Sequence, residues 1–391
     1  MRDGWTETTL DGIAEYINGY PFKPSDLGEL GLPVIRIKQL LDPNEPVDRT
    51  ETDTPDRCLL RDGDIVFSWS GTLAVRVWNR GPAKLNQHLF RVVEKRGVYK
   101  GIIPLVLDHA IQELKEKSHG TTMKHITKQS LLPHKVLLPP LPEQRRIVDL
   151  ISSVDSYIEA LQRQLESSKR SRSALLHALL AANSETSQIR NLGEVARRST
   201  SKNAEGLDLV FTVSALRGLI RQEDYFTKRV ASKNLTNYYV VQPGELVYNK
   251  SYSVDAPLGV VARNTGTHPG LVSPLYIVFH ADETQISASF LGLALESNIF
   301  WQSLRVNLKE GGRAHGALNL KIQDFFDAKV VVPPLSEQDR VVDLITQFDL
   351  KAKALLNSLG QGIQLRHALL SELLGGQHEI PESYDKVLGP A

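Results

Sequence analysis

The sequence predicts an α+β protein built twice over: two mixed α/β globules separated by two long helices that pair as an antiparallel coiled coil, with an internal pseudo-two-fold repeat. Three observations carry this. Pro139-Pro140-Leu141-Pro142-Glu143-Gln144 recurs as Pro333-Pro334-Leu335-Ser336-Glu337-Gln338, a constant offset of 194 that holds without a gap to Leu180 and Leu374, with about 20 of 42 positions identical. Each copy then turns periodic at alternating steps of four and three. Short alternating apolar runs fill the stretches before each copy.

The helices follow from the periodicity. Ile147, Ile151, Val154, Ile158, Leu161 and Leu165 form an a/d seam, the signature of a helix lying along another helix. Val341, Ile345, Phe348, Leu355 and Leu359 stand at the equivalent places. The paired prolines suit a helix start and block its extension backwards. Each helix is expected to run about 40 residues, or roughly 60 Å. Gly360 and Gly362 weaken the second, at about 1 kcal/mol each relative to alanine.

The globules read as strands bounded by turns, for example Asp64–Trp69, Leu85–Val93, Glu245–Tyr248 and Leu275–Phe279. Arg61-Asp62-Gly63-Asp64-Ile65-Val66-Phe67 faintly echoes Gln242-Pro243-Gly244-Glu245-Leu246-Val247-Tyr248; elsewhere the globules barely resemble each other. The expected domains are a first globule at 1–138, a helix at 139–186, a second globule at 187–332, a helix at 333–376 and a tail at 377–391. The tail is expected to be loosely ordered or to pack back on the first globule.

Composition narrows the function. Forty-six Lys and Arg against 45 Asp and Glu leave a net charge of +1, so nucleic acid would have to be met by basic residues sorted onto one face. The single cysteine, Cys58, excludes an internal disulfide and cysteine-rich zinc sites. The charged N-terminus reads as no signal peptide, and no apolar run approaches the ~20 residues that span a bilayer, so a cytoplasmic location is the default.

Motifs for chemistry are missing. Leu138-Pro139-Pro140-Leu141 and Val332-Pro333-Pro334-Leu335 lack the polar residue and the aromatic of an amino-methyltransferase motif. Gly311–Gly316 is followed by Ala317-Leu318, so no phosphate-cradling lysine is present. No His-Glu-x-x-His or clustered His/Cys set appears, and no metal site is expected. Glu143 and Glu337 start helices, where exposed N–H groups and the dipole stabilise a carboxylate; docking of a partner is the other reading.

Divergent globules on matching helices suit a bipartite reader, with two recognition modules held apart and equivalent docking sites for two copies of one partner. The order globule–helix–globule–helix, the two Pro-Pro-Leu-x-Glu-Gln motifs, Val34-Ile35-Arg36-Ile37-Lys38 and Asn86-Gln87-His88 resemble the specificity subunits of type I restriction–modification systems over nearly the whole chain. The resemblance implies a non-catalytic chain with two target-recognition domains that read a split site on double-stranded DNA. It implies two adenine-methyltransferase subunits docked on the helices, and a separate restriction subunit that translocates DNA. No cofactor is then expected in this chain: S-adenosylmethionine belongs to the methyltransferase subunits, and ATP with Mg to the restriction subunit. Two other readings remain: the recognition subunit of a related system whose partner fuses methyltransferase and nuclease, or a helical adaptor that binds no DNA.

Candidate residues follow. Arg305, Lys309, Arg313, His315 and Lys321 form the most basic polar stretch, with Gly311, Gly312 and Gly316 letting the backbone approach closely. Lys117, Lys124 and His125 occupy the matching place in the first globule. Both stretches are expected to face DNA, though a solvated loop is the plainer alternative. Lys38, Ser68, Trp69, Gln87 and His88, with Lys250 and Tyr252 in the second globule, are further candidates at strand ends, Trp69 being more often a core residue. Leu141, Glu143, Gln144, Arg145, Leu335, Glu337, Gln338 and Arg340 are the expected partner-docking residues.

Overall fold

A computed structural model describes residues 4–117, 131–182, 187–214, 217–226, 228, 230–251, 256–307, 318 and 320–388. It divides into two units: residues 1–162 with 357–391, and residues 163–356. Each unit therefore contains one globule, the near half of one long helix and the far half of the other.

In the first unit β1 (Thr6–Thr9) leads through a helical turn α1 (Leu10–Ile13) into β2 (Ala14–Asn18). There follow β3 (Leu32–Ile35), α2 (Ile37–Leu41), β4 (Arg49–Thr50), β5 (Leu59–Leu60), β6 (Ile65–Ser68), β7 (Ala74–Val77), β8 (Ala83–Leu85) and β9 (Leu89–Glu94). Helix α3 (Ile102–Lys117), β10 (Lys135–Leu138) and the long helix α4 (Leu141–Ala182) complete it. Two four-stranded sheets form, β2-β9-β6-β7 and β4-β3-β8-β5, and β10 returns to pair with β1. The sheets are joined because β8 runs directly into β9. Leu10, Ile13, Phe67, Phe90, Ile102 and Ile103 are fully buried between sheet and helix.

The second unit repeats this plan. It contains β11 (Gln188–Asn191), α5 (Leu192–Val195), β12 (Ala196–Ser199), β13 (Phe211–Ser214), β14 (Gly218–Arg221), β15 (Tyr239–Val241), β16 (Leu246–Asn249), β17 (Val260–Arg263), β18 (Gly270–Val272) and β19 (Ile277–Ala281). Then come α6 (Ala288–Ala294), α7 (Asn298–Asn307), α8 (Ile322–Phe326), β20 (Lys329–Val332) and the second long helix α9 (Leu335–Leu374). The sheet β12-β19-β16-β17 matches β2-β9-β6-β7, and β11 pairs with β20 as β1 does with β10. Where the described residues of the first unit have α3, the second has α6 and α7. The faint sequence echo marks a shared turn. Gly63 and Gly244 take φ values of 89° and 86°, open to glycine without strain. Their N–H groups donate to Trp78 O and Asn264 O at 2.7 and 2.8 Å. The following acid caps the turn each time, through Arg61 N to Asp64 at 2.8 Å and Gln242 N to Glu245 at 2.7 Å.

The long helices run 42 and 40 residues, straight through Gly360 and Gly362. Gly362 faces Ile158, and a Cβ there would stand 3.2 Å from Ile158 Cγ1. The glycine lets two helices approach closely, which offsets its low propensity. The pairing is antiparallel in both units. Arg172 binds Asp349 in the second unit and Arg366 binds Asp155 in the first, the same pair displaced by the repeat offset. Each arginine also holds a carboxylate of its globule, Glu296 at 2.6 Å or Asp108 at 3.0 Å. The hydrogen bonds that Arg172 donates to Glu296, ahead of the opposing burial, push the Arg172 pKa up. The seam is not purely a helix–helix contact. Ile147 and Ile151 belong to the first globule's core with Leu370, Leu373 and Leu374, and Val341 and Ile345 enter the second core with Leu176 and Leu180. Ile158, Leu161 and Leu165 are buried, whereas Val154, Phe348, Leu355 and Leu359 are half-buried. The tail packs on the first unit: Ile380 is buried, and Arg146 clamps Asp385 at 2.8 and 3.2 Å.

Candidate nucleic-acid interface

In the first unit four chain turns converge at one edge, because the ends of β2, β3, β6 and β8 point the same way. Gly19 carries the chain past the end of β8, where a Cβ would lie 2.3 Å from the carbonyl oxygens of Leu85 and Asn86. Tyr20 N donates to Leu85 O at 2.7 Å, Gln87 N to Tyr20 O at 3.1 Å and Asn86 N to Ile35 O at 3.1 Å, tying three turns together. Asn86 is buried, and its Oδ1 accepts from His88 N at 3.3 Å. The locked turn leaves Gln87 and His88 exposed side by side. The His88 ring lies 6.4 Å from Trp69, which stacks on Phe90 at 5.6 Å. Lys38 projects from α2, immediately beyond the end of β3, and is exposed.

This arrangement can meet a polynucleotide. An exposed glutamine amide presents a donor and an acceptor side by side, as adenine recognition requires. An exposed lysine has the charge and reach for a phosphate contact, and the Tyr20–Phe22 pair, 4.9 Å apart, adds apolar surface.

The second unit builds the same edge from other residues. β13 follows a parallel bridge from Val210 to Leu271, so its end lies beside that of β18. β16 ends at Asn249, whose Oδ1 accepts from Ser251 N at 3.0 Å, and half-buried Lys250 accepts Leu318 N at 2.8 Å through its carbonyl. The turn that corresponds to Asn86–His88 is Ser273-Pro274-Leu275-Tyr276, with Leu275 70% exposed. Arg198 lies 6.0 Å from the Tyr239 ring, and Arg198, Lys202 and Arg217 are exposed. One unit thus offers amide and imidazole where the other offers apolar side chains and guanidinium.

The structure corrects several expectations. Ser68 is fully buried, its hydroxyl donating to Thr72 O at 2.6 Å, so it shapes the turn and is not available to DNA. Trp69 is half-buried and serves the core more than the surface. Gln144 and Gln338, expected to dock a partner, are 1% and 0% exposed. Each donates to the carbonyl of the first proline of its motif, Pro139 or Pro333, at 2.8 Å. Each accepts a loop N–H, from Tyr99 at 2.7 Å or Ser287 at 2.8 Å. The motif glutamine is thus an internal stitch between helix start and globule. Glu143 is likewise buried and accepts from Trp5 Nε1 at 3.1 Å. Leu141, Arg145, Leu335 and Arg340 are exposed, and Glu337 is half-buried. Arg305 is exposed on the last turn of α7, and Lys321 at the start of α8, three residues beyond the Leu318–Lys250 contact. Lys124, His125, Tyr252, Lys309, Arg313 and His315, and the side chain of Lys117, lie outside the described residues.

Sequence reasoning missed Tyr20, Arg198, Lys202, Arg217 and Leu275. The isolated Gly19 ahead of Tyr20 was the available sign of a close backbone approach. Among the described residues, no group of three or more His, Cys, Asp or Glu is placed to hold a metal, and no helix is long and apolar enough to cross a membrane. A cavity of about 1050 Å³ in the second unit is walled by the Arg172, Glu296 and Asp349 cluster; its charges already satisfy one another.

Residues 2–167 match the family model of the type I restriction modification DNA specificity domain. The specificity subunit of the EcoBI type I restriction enzyme of Escherichia coli is 27% identical over 185 residues, 46% of this chain and 39% of that protein. The MjaVIII specificity subunit of Methanocaldococcus jannaschii is 23% identical over 128 residues, 32% of this chain and 30% of that one. The matching stretches therefore span well under half the length of these relatives. Among solved structures, the type I S subunit from M. genitalium is similar with a TM-score of 0.54 at 16% identity, over 95% of this chain and 96% of that chain. A type I restriction–modification structure concerned with complex assembly and conformational transition gives 0.54 at 16% identity, over 96% and 98%. At such identity these two speak for the fold. Residues 2–167 are thus similar to the type I restriction modification DNA specificity domain, and over nearly its whole length the chain shares the fold of solved type I S subunits.

Proposed function

We propose that this chain is the sequence-recognition subunit of a type I restriction–modification complex, reading a bipartite site on double-stranded DNA through its two globules. The observation that carries the reading is the contrast at the strand ends. Two units with one backbone plan present different side chains at the same edge, as two different half-sites require. The family match of the first unit supports it.

In this reading the chain is not an enzyme. Two methyltransferase subunits dock at the helix entrances around Leu141 and Leu335, and these subunits bring S-adenosylmethionine and perform adenine methylation. A restriction subunit brings ATP and Mg for translocation and cleavage. The complex works in the cytoplasm, and this chain needs no cofactor of its own. The recognition domains are residues 1–138 and 187–332. Gln87 and His88 read bases in the first, with Lys38 on phosphate; Lys250 and Lys321, joined by Arg198 and Arg217, serve the second. The segments around Lys117, Lys124, His125, Tyr252, Arg305, Lys309, Arg313 and His315 add to the basic contact.

The test is a single-molecule methylome of cells carrying this chain with its methyltransferase, set against cells lacking only this chain. A split adenine-methylation motif that vanishes on deletion is the expected result. An unchanged methylome with an active methyltransferase would overturn the reading and leave a helical adaptor in its place.

A further inference from the structure

We propose that the two helix entrances are unequal docking surfaces for the same protein partner: the first takes an acidic surface and holds it tightly, and the second holds that surface weakly. This rests on the docking reading above and adds to it the chemistry of the partner's face.

The two entrances share one frame. Gln144 binds Gly97 O, Tyr99 N and Pro139 O, and Gln338 binds Gln285 O, Ser287 N and Pro333 O. That common set of bonds aligns the loop at 95–100 with the loop at 283–288, residue for residue. On this frame Lys95, Arg96, Lys100 and Arg145 stand where the second entrance has Glu283, Thr284, Ala288 and Asp339. The backbone is repeated and the charge is reversed.

Of the cations at the first entrance, Lys95 donates to Asp11 O, while the other three have no acid beside them among the described residues. Lys95, Arg96, Lys100 and Arg145 are all exposed. Arg145 lies 5.8 Å from the Tyr99 ring, and Arg96, Lys100 and Arg145 make no ion pair with an acid among the described residues. On the opposite flank Arg146 is paired with Asp385 and donates to Ile380 O at 3.0 Å, and Asp149 accepts from Tyr384 at 2.8 Å, so the cation on that side is already held within the chain. An acid that completes this surface has to come from another molecule.

The acids of the second entrance are largely used at home. Asp282 accepts from Thr284 N at 3.2 Å, Thr284 Oγ1 at 2.6 Å and Gln285 Nε2 at 2.5 Å, and Glu283 accepts from Ala288 N at 3.1 Å. Glu283 thus helps to cap the start of α6, Asp282 braces the turn before it, and Asp339 adds a further exposed negative charge. An acidic partner surface finds the exposed Arg340 there, beside Asp339, and meets the repulsion of Glu283 and Asp339. Binding then falls to the common apolar part, Leu141 at the first entrance and Leu335 at the second, which are 40% and 43% exposed.

Rim charges act through association rate and salt dependence, and salt screens them beyond about 10 Å at 0.1 M. Full-length chain is titrated with its adenine methyltransferase by native mass spectrometry at low and high potassium chloride. The expected result is two binding steps separated by about tenfold or more at low salt, converging as salt rises. R96E/R145E is expected to weaken the tighter step about tenfold, remove its salt dependence and leave the weaker step alone. D339R is expected to strengthen the weaker step. Equal steps at low salt would overturn the proposal, as would an R96E/R145E chain that melts like the parent and binds unchanged. If R96E/R145E does not fold, K100E carries the same expectation. A chain that captures no methyltransferase at any salt overturns the docking reading itself, which is distinct from capturing two copies equally.

Discussion

The helix starts and the strand-end turns of this protein obey opposite rules. At the helix starts the two units keep the same residue for the same task, since Gln144 and Gln338 make equivalent bonds at matching distances. At the strand ends the units keep the backbone and change the side chains, Gln87 and His88 against Leu275 and Tyr276. A buried amide that satisfies several backbone groups has few substitutes, because each group left unpaired costs about 1–3 kcal/mol. An exposed side chain at a turn constrains nothing behind it and is free to differ.

Five substitutions would sharpen or break that contrast. The largest effect is expected for Leu161→Asp. Leu161 is 7% exposed, and a carboxylate there has no partner, so about 3–5 kcal/mol should be lost in thermal unfolding. Leu355→Asp, at the half-buried equivalent, should cost distinctly less. Equal losses would mean that the two halves of the seam are buried alike. Next come Gln144→Leu and Gln338→Leu, each expected to cost about 2–4 kcal/mol by stranding a loop N–H and two carbonyls; denaturant titration reads this. Indifference at either position would end the view of these glutamines as stitches. The smallest effect on stability and the most selective on function belongs to Gln87→Ala. It should leave the melting temperature unchanged and cost about 1–3 kcal/mol in binding to the cognate duplex. Methylation should relax at one half-site only, and relaxation at both would show that the units do not read separately.

Much of the architecture was legible in the sequence, and the reason is periodicity. A seam repeated twice at a fixed offset identifies two long helices, and Pro-Pro marks where they begin, because burial of a stripe on a helix leaves a regular trace. The Asp64 and Glu245 turns were visible as an echo for a similar reason, since a left-handed φ demands glycine at Gly63 and Gly244. The roles of Gln144, Gln338 and Ser68 were not legible. A polar residue reads the same in sequence whether it faces solvent or satisfies a buried carbonyl.

By itself, then, the sequence determined the repeat, the helix pair, the α+β class and the candidate strand ends, all of which rest on local spacing and backbone preference. Tertiary structure decided which of these residues are available to a ligand. It buried Ser68 and the motif glutamines and set His88 beside Trp69. It matched Arg172 with Asp349 and Arg366 with Asp155, and it placed Lys95 and Glu283 at one and the same station. Those outcomes depend on contacts between residues far apart in the chain, which leave no periodic trace in either partner's own neighbourhood.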